Sequence, residues 1–342
     1  MKRVLAIRQD NNGDVLLIGP ALRAIGSQAR VDLMCGPRGA AAGRLLPGVD
    51  AVDVWEAAWI DAEPHPVSRA DIDALVDRLR VRYDEAVIFT SFHQSPLPMA
   101  LVLRMAGIQR IGAISVDYPG SLLDVRHRVD DEIHEVERAL SLAAAMGYTL
   151  PRGDDGRLRF RELPPPPLMP APYVVVHPGC TMTARTWSAD GFLEVTRALC
   201  TRGYYVAVTG SANESDLTAY VASGHERARN FGGATSFAKF ASLVAGAVAA
   251  VCGNTATTHV AAAVGTPVAE IFPPTISFAR FRPWMVSYEV FGDGSVACAG
   301  CRARACPFDD HPCLQNVRAN DIADAVARLH GVGFPNVRSM LA

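Results

Sequence analysis

Six of the eleven residues from Glu162 to Pro172 are proline, and this segment divides the chain into two halves. Proline fixes its backbone φ angle and has no N–H to donate, so the segment is predicted to be a stiff, extended linker outside any sheet. On either side of it, apolar runs of strand length alternate with amphipathic stretches of helix length. That alternation is typical of parallel, doubly wound α/β sheets. The sequence therefore predicts two α/β domains, residues 1–162 and 173–342, joined by a linker over residues 163–172.

The predicted strands and helices follow one another regularly in both halves. Two such domains in series are expected to enclose a cleft, which is a favoured place for a ligand. Strands are predicted at residues 3–8, 31–35, 51–55, 86–89 and 110–114 in the first half, and at 173–177, 204–209, 247–252 and 268–272 in the second. Helices are predicted at residues 15–25, 70–82, 98–106 and 131–146, and a last one begins after Asn320.

Composition and charge exclude several classes of protein. The formal net charge of −2 gives no reason to expect a nucleic-acid partner. The longest apolar run, residues 243–252, is shorter than the roughly 20 residues that a membrane helix needs. Arg8, Asp10 and Asp14 interrupt the apolar stretch that a signal peptide would require. We therefore expect a cytoplasmic protein, associated at most peripherally with the inner face of the membrane.

The first predicted strand runs directly into a polar turn that contains a carboxylate. The strand ends at Arg8, the turn contains Asn12, Gly13 and Asp14, and a helical stretch follows. Ligands of open α/β sheets bind at the carboxyl ends of the strands. Asp14 is therefore a candidate general base. The alternative is that Asp14 only caps the N-terminus of the helix.

Two turns in the second half carry groups suited to a nucleotide. The loop after its first strand contains Arg185 and Thr186, and a planar guanidinium there could grip a diphosphate. The alternative is a surface loop with a solvated arginine. The turn after the next strand contains Gly210, Ser211 and Glu214, and this carboxylate could accept hydrogen bonds from ribose hydroxyls. Its alternative role is that of a first-turn carboxylate interacting with the helix dipole.

A third turn in the second half is a candidate phosphate site. A buried strand ends at Cys252, and Asn254, Thr255, Ala256 and Thr257 lead into a helix rich in small residues. Free backbone N–H groups at such a helix N-terminus, with the threonine hydroxyls, favour an anion. His259 lies either near the nucleotide or in the core. Neither GxxxxGK[ST] nor GxGxxG occurs in the sequence, which disfavours P-loop phosphoryl transfer and the usual dinucleotide site.

Residues 298–313 contain four cysteines and a histidine within sixteen positions. The C-x2-C spacing at the start of this loop resembles a zinc site, but the later spacings differ from those of a zinc ribbon. A structural zinc is one interpretation, and reduced thiols in a compact loop or disulfides are the others. The cysteines concerned are Cys298, Cys301, Cys306 and Cys313.

Several of these segments occur in an order and spacing that resemble a known family. They are residues 7–22, with the run Gly13-Asp14-Val15-Leu16-Leu17, and residues 134–140, 177–187, 210–214 and 255–267. Together they resemble glycosyltransferase family 9, whose best-known members are the ADP-heptose:lipopolysaccharide heptosyltransferases.

The resemblance implies a GT-B fold, with two Rossmann-like, doubly wound domains facing a central cleft. It implies an inverting reaction without a catalytic cofactor, in which Asp14 is the base and Arg8, Asn12 and Gly13 lie on the acceptor side. The acceptor, a lipopolysaccharide core or related glycan, would bind the N-terminal domain. The nucleotide sugar, ADP-linked as in the family's best-known members, would bind the C-terminal domain through a second set of residues. That set is Arg185, Thr186, Gly210, Ser211, Glu214, Asn254, Thr255, Ala256, Thr257 and His259.

Two segments depart from the family pattern. The usual Asp-Ser/Thr-Gly is Asn254-Thr255-Ala256 in this chain, and the usual Phe-Gly-Pro-Thr is Phe272-Pro273-Pro274-Thr275. These changes leave two alternatives open. One is a transferase of the same fold that uses another nucleotide sugar and a soluble metabolite. The other is a nucleotide-sugar-binding protein without transferase activity.

Overall fold

The structure is a computed structural model that describes residues 1–60 and 64–331. Within these residues the chain folds into two compact units, which divide between Glu162 and Leu163. Each unit contains a six-stranded sheet in which every pairing is parallel. The prediction of two parallel α/β sheets is confirmed. No helix in the described ranges is long and apolar enough to cross a membrane.

The first unit alternates strands and helices along its whole length. Its strands are β1 (Arg3–Arg8), β2 (Arg30–Cys35), β3 (Ala51–Val54), β4 (Glu85–Ile88), β5 (Arg110–Ile114) and β6 (Val125–His127). Its helices are α1 (Asn12–Leu17), α2 (Gly19–Gly26), α3 (Ala40–Gly43), α4 (Arg69–Leu79), α5 (Leu97–Met105) and α6 (Glu135–Ala145).

The second unit repeats this organisation. Its strands are β7 (Tyr173–His177), β8 (Tyr205–Val208), β9 (Ala228–Asn230), β10 (Ala249–Gly253), β11 (Val268–Ile271) and β12 (Tyr288–Phe291). Its helices are α7 (Ala189–Thr201), α8 (Ser215–Ala222), α9 (Phe237–Ala245), α10 (Ala256–Val264), α11 (Phe278–Phe281) and α12 (Ala319–Gly331).

The two sheets have the same strand order. It is β3-β2-β1-β4-β5-β6 in the first unit and β12-β11-β10-β7-β8-β9 in the second. In each sheet the first strand of the unit pairs with the fourth, and the chain winds outward in opposite directions from that pair. Doubly wound sheets bind ligands outside the carboxyl ends of the strands at such a switch point. A ligand site is therefore expected at the carboxyl ends of β1 and β4, and another at those of β7 and β10.

Two helix predictions need correction. The helix predicted over residues 15–25 is two helices, α1 and α2, which meet at Ile18. Pro20 lies in the first turn of α2 and has no N–H for a continuous helix. Helix α6 begins at Glu135 rather than at residue 131, because His134 and Glu137 form a capping box at that point.

Three strands were not predicted, namely β6, β9 and β12. Each is three or four residues long and forms an edge of its sheet. An edge strand leaves one side open to solvent, so it needs no continuous apolar run. These strands therefore lack the signal that identified the buried ones.

The proline-rich segment packs against the second unit. Residues 163–172 form neither helix nor strand. The Pro164 carbonyl accepts a hydrogen bond from Ser242 Oγ at 2.6 Å, and the Leu168 carbonyl accepts one from Arg229 Nη1 at 3.3 Å. These bonds tie the segment to helix α9 and strand β9, and the Pro172 carbonyl accepts a further one from the Tyr205 N–H at 2.9 Å.

Candidate active site

Asp14 lies at the carboxyl end of β1, in the first turn of α1. The helix begins at Asn12 and its N-cap is Asn11, which makes no side-chain capping bond. The Asp14 carboxylate accepts a hydrogen bond from Arg8 Nη2 at 3.1 Å. The alternative interpretation of Asp14 as the N-cap residue is therefore wrong. Its side chain keeps 23% of its surface exposed, which leaves room for a substrate hydroxyl.

Arg8 is the centre of a charged cluster at the β1/β4 switch point. Arg8 itself is only 2% exposed. Its guanidinium lies 2.7 Å from Asp10, 3.1 Å from Asp14 and 3.9 Å from Glu135, and Nη2 donates to Ser91 Oγ at 2.9 Å. These partners come from the β1–α1 turn, from the loop after β4 and from the first residue of α6. The buried Arg8 guanidinium thus contacts side chains from three separate segments beside the Asp14 carboxylate.

The environment of Asp14 makes it a stronger base than an exposed carboxylate. Burial raises the pKa of Asp14 to about 6, and the nearby Asp10 and Glu135 carboxylates act in the same direction. The Arg8 guanidinium opposes them and keeps the pKa from rising further. Asp14 is therefore mostly ionised at neutral pH, with a proton affinity close to what general-base catalysis requires.

The other residues predicted on the acceptor side hold the turn in place. Asn12 Oδ1 accepts a hydrogen bond from the Ala42 backbone N–H at 3.0 Å, which fastens α1 to α3. Gly13 is buried within α1. Together with the buried Arg8, these residues position Asp14. The structure brings all four together at one strand end.

In the second unit, the loop after β7 brings Arg185 to the end of β10. Arg185 closes a short 3-10 turn, and its backbone carbonyl lies 3.3 Å from where a Cβ on Gly253 would stand. Its Nε is buried without a hydrogen-bond partner, and no carboxylate pairs with it in the described part of the chain. The neighbouring Thr186 Oγ1 donates to the Met182 carbonyl at 3.2 Å. Arg185 is thus an uncompensated cation at the β7/β10 switch point.

Helix α10 begins at the same switch point. Its N-cap is Thr255, whose Oγ1 accepts a hydrogen bond from the Thr257 N–H at 3.3 Å. Asn254 is 7% exposed, and its Nδ2 has no partner in the residues that the structure describes. His259 is 4% exposed and packs near Phe281, as a core histidine does. One donor without a partner in the described residues, the Asn254 amide, therefore lies at this helix N-terminus.

Glu214 has the local role of a capping residue. Its carboxylate accepts hydrogen bonds from the Ser211 N–H at 2.7 Å and from Ser211 Oγ at 2.8 Å. The carboxylate also packs directly on Gly179, where a Cβ would overlap it, and lies close to Gly210, where Thr218 is the nearer neighbour. Glu214 thus joins the loops after β7 and β8, and its contact with a ribose stays a prediction.

A family model described as glycosyltransferase family 9 (heptosyltransferase) matches residues 73–311. The chain belongs to glycosyltransferase family 9. The resemblance is thereby confirmed for residues 73–311, which include four of the five short motifs; the motif at residues 7–22 lies outside the matched range.

Curated relatives of this family 9 chain are heptosyltransferases. Lipopolysaccharide heptosyltransferase 1 of Pseudomonas aeruginosa is 32% identical over 179 residues, which cover 51% of this chain and 49% of that protein. Lipopolysaccharide heptosyltransferase 3 of Escherichia coli K12 is 34% identical over 127 residues, 36% of this chain and 37% of that protein. The chain thus matches about half or less of the length of these relatives.

Solved structures confirm the GT-B class of fold. The glycosyltransferase family 9 protein of Veillonella parvula has a TM-score of 0.77 at 12% identity, covering 97% of this chain and 98% of that one. The ADP-heptose lipopolysaccharide heptosyltransferase II of E. coli has a TM-score of 0.71 at 20% identity, covering 96% and 98%. An E. coli heptosyltransferase with ADP-2-deoxy-2-fluoro heptose has a TM-score of 0.70 at 20% identity, covering 95% and 99%.

One buried carboxyl group of the second unit, that of Glu270, was not predicted as a candidate site residue. Glu270 lies in the middle of the apolar strand β11 and is completely buried. Its Oε1 is 3.0 Å from Thr258 Oγ1, in the first turn of α10. Burial raises the pKa of Glu270 to about 8. The only signal in the sequence is a single glutamate in the run Val-Ala-Glu-Ile.

The four cysteines of residues 298–313 line one small cavity with a volume of about 30 Å³. His311 lies at the same cavity, but its Nε2 bonds with the Ala184 carbonyl at 2.9 Å. All four thiols are free. Over residues 1–60 and 64–331, no three His, Cys, Asp or Glu side chains are arranged to hold a metal ion. A structural zinc at these cysteines is therefore not shown and stays one interpretation of the sequence.

Proposed function

We propose that this family 9 protein is an inverting glycosyltransferase that moves a heptose from an ADP-linked donor to a hydroxyl of a glycan acceptor. The observation that carries the proposal is the partly exposed Asp14 carboxylate, whose pKa burial raises to about 6 at the β1/β4 switch point. The heptosyltransferase names of the curated relatives support the choice of sugar.

The first unit activates the acceptor in this mechanism. The acceptor hydroxyl gives its proton to the Asp14 carboxylate while its oxygen attacks the anomeric carbon of the donor. The bond from that carbon to the diphosphate oxygen breaks, and its electron pair leaves with ADP. Attack opposite the leaving group inverts the anomeric centre, through a transition state with oxocarbenium character. Arg8 holds the carboxylate in place and balances its charge.

The second unit holds the leaving group. Negative charge grows on the diphosphate as the bond breaks, and groups fixed in advance stabilise it most effectively. Arg185 supplies a positive charge that forms no ion pair among the described residues, and the N-terminus of α10 supplies the positive end of the helix dipole. The unpartnered Asn254 amide is a further donor at the same strand end. These groups belong to the protein itself and would stabilise the departing ADP.

The decisive experiment replaces the proposed base. We expect Asp14→Asn to lower the rate of ADP release from ADP-heptose with acceptor about 10²- to 10⁴-fold, because general-base catalysis is lost. ADP binding, measured by titration calorimetry, should change little. Asp73→Asn is the control, since it removes an exposed carboxylate of α4. Turnover near that of the wild type in Asp14→Asn contradicts the proposal.

A further inference from the structure

The second unit contains a buried carboxyl group that the proposed transfer reaction does not use. Glu270 lies in β11 and is completely buried. Its Oε1 is 3.0 Å from Thr258 Oγ1, and its Oε2 has no hydrogen-bond partner among the described residues. Burial is the larger influence on its ionisation, and Thr258 is the other. A carboxylate ion in such a place would be strongly destabilised, so the carboxyl group is held in its neutral form.

The hydrogen bonds around Thr258 also favour a protonated Glu270. Thr258 Oγ1 lies 3.4 Å from the Gly253 carbonyl and 3.0 Å from Glu270 Oε1, and Cys252 Sγ is a weaker partner at 3.4 Å. A hydroxyl has one proton, so it can donate to only one of these groups. If Glu270 is ionised, Thr258 donates to the carboxylate and the bond to Gly253 is lost. If Glu270 is protonated, it donates to Thr258 and Thr258 donates to Gly253, so both bonds form.

This chain of hydrogen bonds ends at the candidate donor site. Gly253 is the last residue of β10, and the Arg185 carbonyl lies 3.3 Å from where a Cβ on Gly253 would stand. Helix α10 has Thr255 as its N-cap, and Thr258 lies in its first turn. One turn of helix is about 5.4 Å long. A negative charge on Glu270 would therefore lie roughly 10 Å from an anion bound at this helix N-terminus.

We propose that Glu270 is a positioning residue of the donor site. Its protonated carboxyl donates to Thr258, Thr258 donates to the Gly253 carbonyl, and this uncharged chain holds the beginning of α10 in the form that binds a nucleoside diphosphate. Loss of the Glu270 proton breaks the chain and places a negative charge behind the phosphates. The inference rests on the proposed function for the identity of the ligand. It adds a pH dependence of donor binding that is separate from the ionisation of Asp14.

The ionisable neighbours of Glu270 in the sheet titrate outside its range. Burial raises the pKa of Glu270 to about 8. Cys252 lies beside it in register on β10, and burial raises the pKa of this thiol and of the nearby Cys180 above the ordinary value. His177 is in register with Cys252 on β7, and burial lowers its pKa. On the other side, β12 places the apolar Val290 opposite Glu270.

Two helices also pack against β11. Helix α10 carries His259, which is 4% exposed. Helix α12 packs with Ala269 and Ile271, whose side chains lie on the opposite face of β11 from Glu270, and its buried residues are all apolar. A Glu270→Gln variant keeps all of these groups. Comparison with that variant therefore isolates the contribution of Glu270.

The first test measures the dissociation constant for ADP by titration calorimetry from pH 7 to 9, with circular dichroism to establish that the protein is folded. The terminal phosphate of ADP is ionised in this range, since phosphate loses its second proton near about pH 6. A like charge about 10 Å away raises the pKa of a buried carboxyl by roughly one unit. We therefore expect the Kd of the wild type to rise about fivefold from pH 7 to 9. A Kd that does not change with pH overturns the inference.

Glu270→Gln separates hydrogen bonding by this side chain from its charge. The amide can donate to Thr258 Oγ1 and does not ionise. The Kd for ADP should stay within about twofold of the wild-type value at pH 7, and within about twofold of that from pH 7 to 9. Glu289→Gln is the matched control, because it removes a carboxylate of the adjacent β12 that pairs with Arg328. If Glu270→Gln keeps the fivefold rise, or Glu289→Gln loses it, Glu270 does not cause the pH dependence.

A measurement on the unmodified protein does not depend on how a variant folds. If bound ADP raises the pKa of Glu270, binding must take up protons from solution. Calorimetric titrations in buffers that differ in ionisation enthalpy count these protons. We expect an uptake of about half a proton per ADP at pH 8.5 and close to none at pH 7. Release of protons at pH 8.5, or no exchange there, overturns the inference.

Thr258 variants test whether Glu270 acts through the hydroxyl group. Thr258→Val removes the hydroxyl and Thr258→Ser keeps it, and thermal melts establish that both fold. At pH 7, Thr258→Val should weaken ADP binding about fivefold, the effect of one lost hydrogen bond, and Thr258→Ser should stay within about twofold of the wild type. Equal ADP affinities of the two variants would show that the hydroxyl does not position the site.

The outcomes also separate this inference from the proposed function. If the wild type does not bind ADP at any pH, the ADP-linked donor of the proposed function is refuted, and this inference is refuted with it. If ADP binds and Asp14→Asn abolishes transfer, but the Kd and the proton uptake do not vary with pH, the proposed function stands. In that case only the role of Glu270 is refuted.

Discussion

At the scale of single residues, Arg8 determines the chemistry of the candidate site. A buried guanidinium is tolerated only where carboxylates surround it, and Asp10, Asp14 and Glu135 do so. Three carboxylates thus surround the single Arg8 guanidinium, and they outnumber its positive charge. Burial is the main cause of the raised pKa of Asp14, and the Asp10 and Glu135 carboxylates add to it because like charges disfavour ionisation of a neighbour.

This charge balance predicts a pH dependence. Asp14 must be ionised to accept a proton, so kcat/KM should rise with pH through about 6 and level off above it. Asp10→Asn removes a carboxylate that raises the pKa of Asp14, so the acidic limb should move down by about one pH unit or less. Asp73→Asn should leave the limb in place. An unmoved limb in Asp10→Asn would show that another group controls it.

At the scale of elements, the beginning of α10 is the best organised part of the second site. Thr258 lies in its first turn and contacts both the Gly253 carbonyl, at 3.4 Å, and the Glu270 carboxyl, at 3.0 Å. These contacts fasten the helix to β10 and β11. The Arg185 backbone, in turn, covers Gly253. The helix N-terminus and the arginine are therefore fixed at one strand end.

Arg185 should control the affinity for the free nucleotide. We expect Arg185→Ala to weaken ADP binding about 10- to 100-fold, because a hydrogen bond to a charged group contributes about 1.5–3 kcal/mol. Titration calorimetry measures the change. Arg202→Ala is the matched control, since that exposed arginine of the same unit pairs with Asp324. Equal ADP affinities of Arg185→Ala and Arg202→Ala would show that Arg185 does not bind the donor.

Glu270 should make the stability of the protein pH-dependent. The folded pKa is about 8 against an ordinary value of 4.5, so the folded state retains a proton that the unfolded state loses. The contribution is complete below pH 4.5 and declines as pH rises to about 8, by up to about 1.4 kcal/mol per pH unit. Glu270→Gln should remove this decline in urea unfolding measured from pH 5 to 8. If the free energy of unfolding falls with pH equally in Glu270→Gln and in the wild type, Glu270 is not the cause of the decline.

At the scale of the whole molecule, the same sheet is built twice and carries different polar groups in each unit. Both units have the doubly wound strand order, and each places its polar groups at the carboxyl ends of its switch-point strands. The first unit places a carboxylate there and the second an uncompensated arginine with a helix N-terminus. A base and an anion site are the two functions that transfer from a nucleotide sugar needs.

Nucleotide preference is measurable on the intact chain. A ligand that binds only the folded protein raises its stability by mass action. We expect ADP to raise the melting temperature more than UDP, GDP or CDP at equal concentration. Arg185→Ala should reduce the ADP shift. A larger increase in melting temperature with another nucleoside diphosphate would show that the donor sugar is linked to that nucleotide rather than to ADP.

The sequence by itself determined the architecture. Buried strands such as β1, β7 and β10 are continuous apolar runs, and the turns that follow them contain Asp14, Arg185 and Asn254 in linear order. Strand ends of a parallel sheet lie at one edge, so these residues could be located without coordinates. Edge strands and the exact beginning of α6 could not, because solvent exposure and a capping box decide them.

Only the tertiary structure decided the chemistry of these residues. Glu135 and Ser91 are distant from Arg8 in sequence, and only folding brings them to its guanidinium. Burial and neighbouring charge raise the pKa of Asp14, and neither can be read from a local pattern. Local sequence sets which residues end each strand, whereas desolvation and charge are properties of residues brought together from afar.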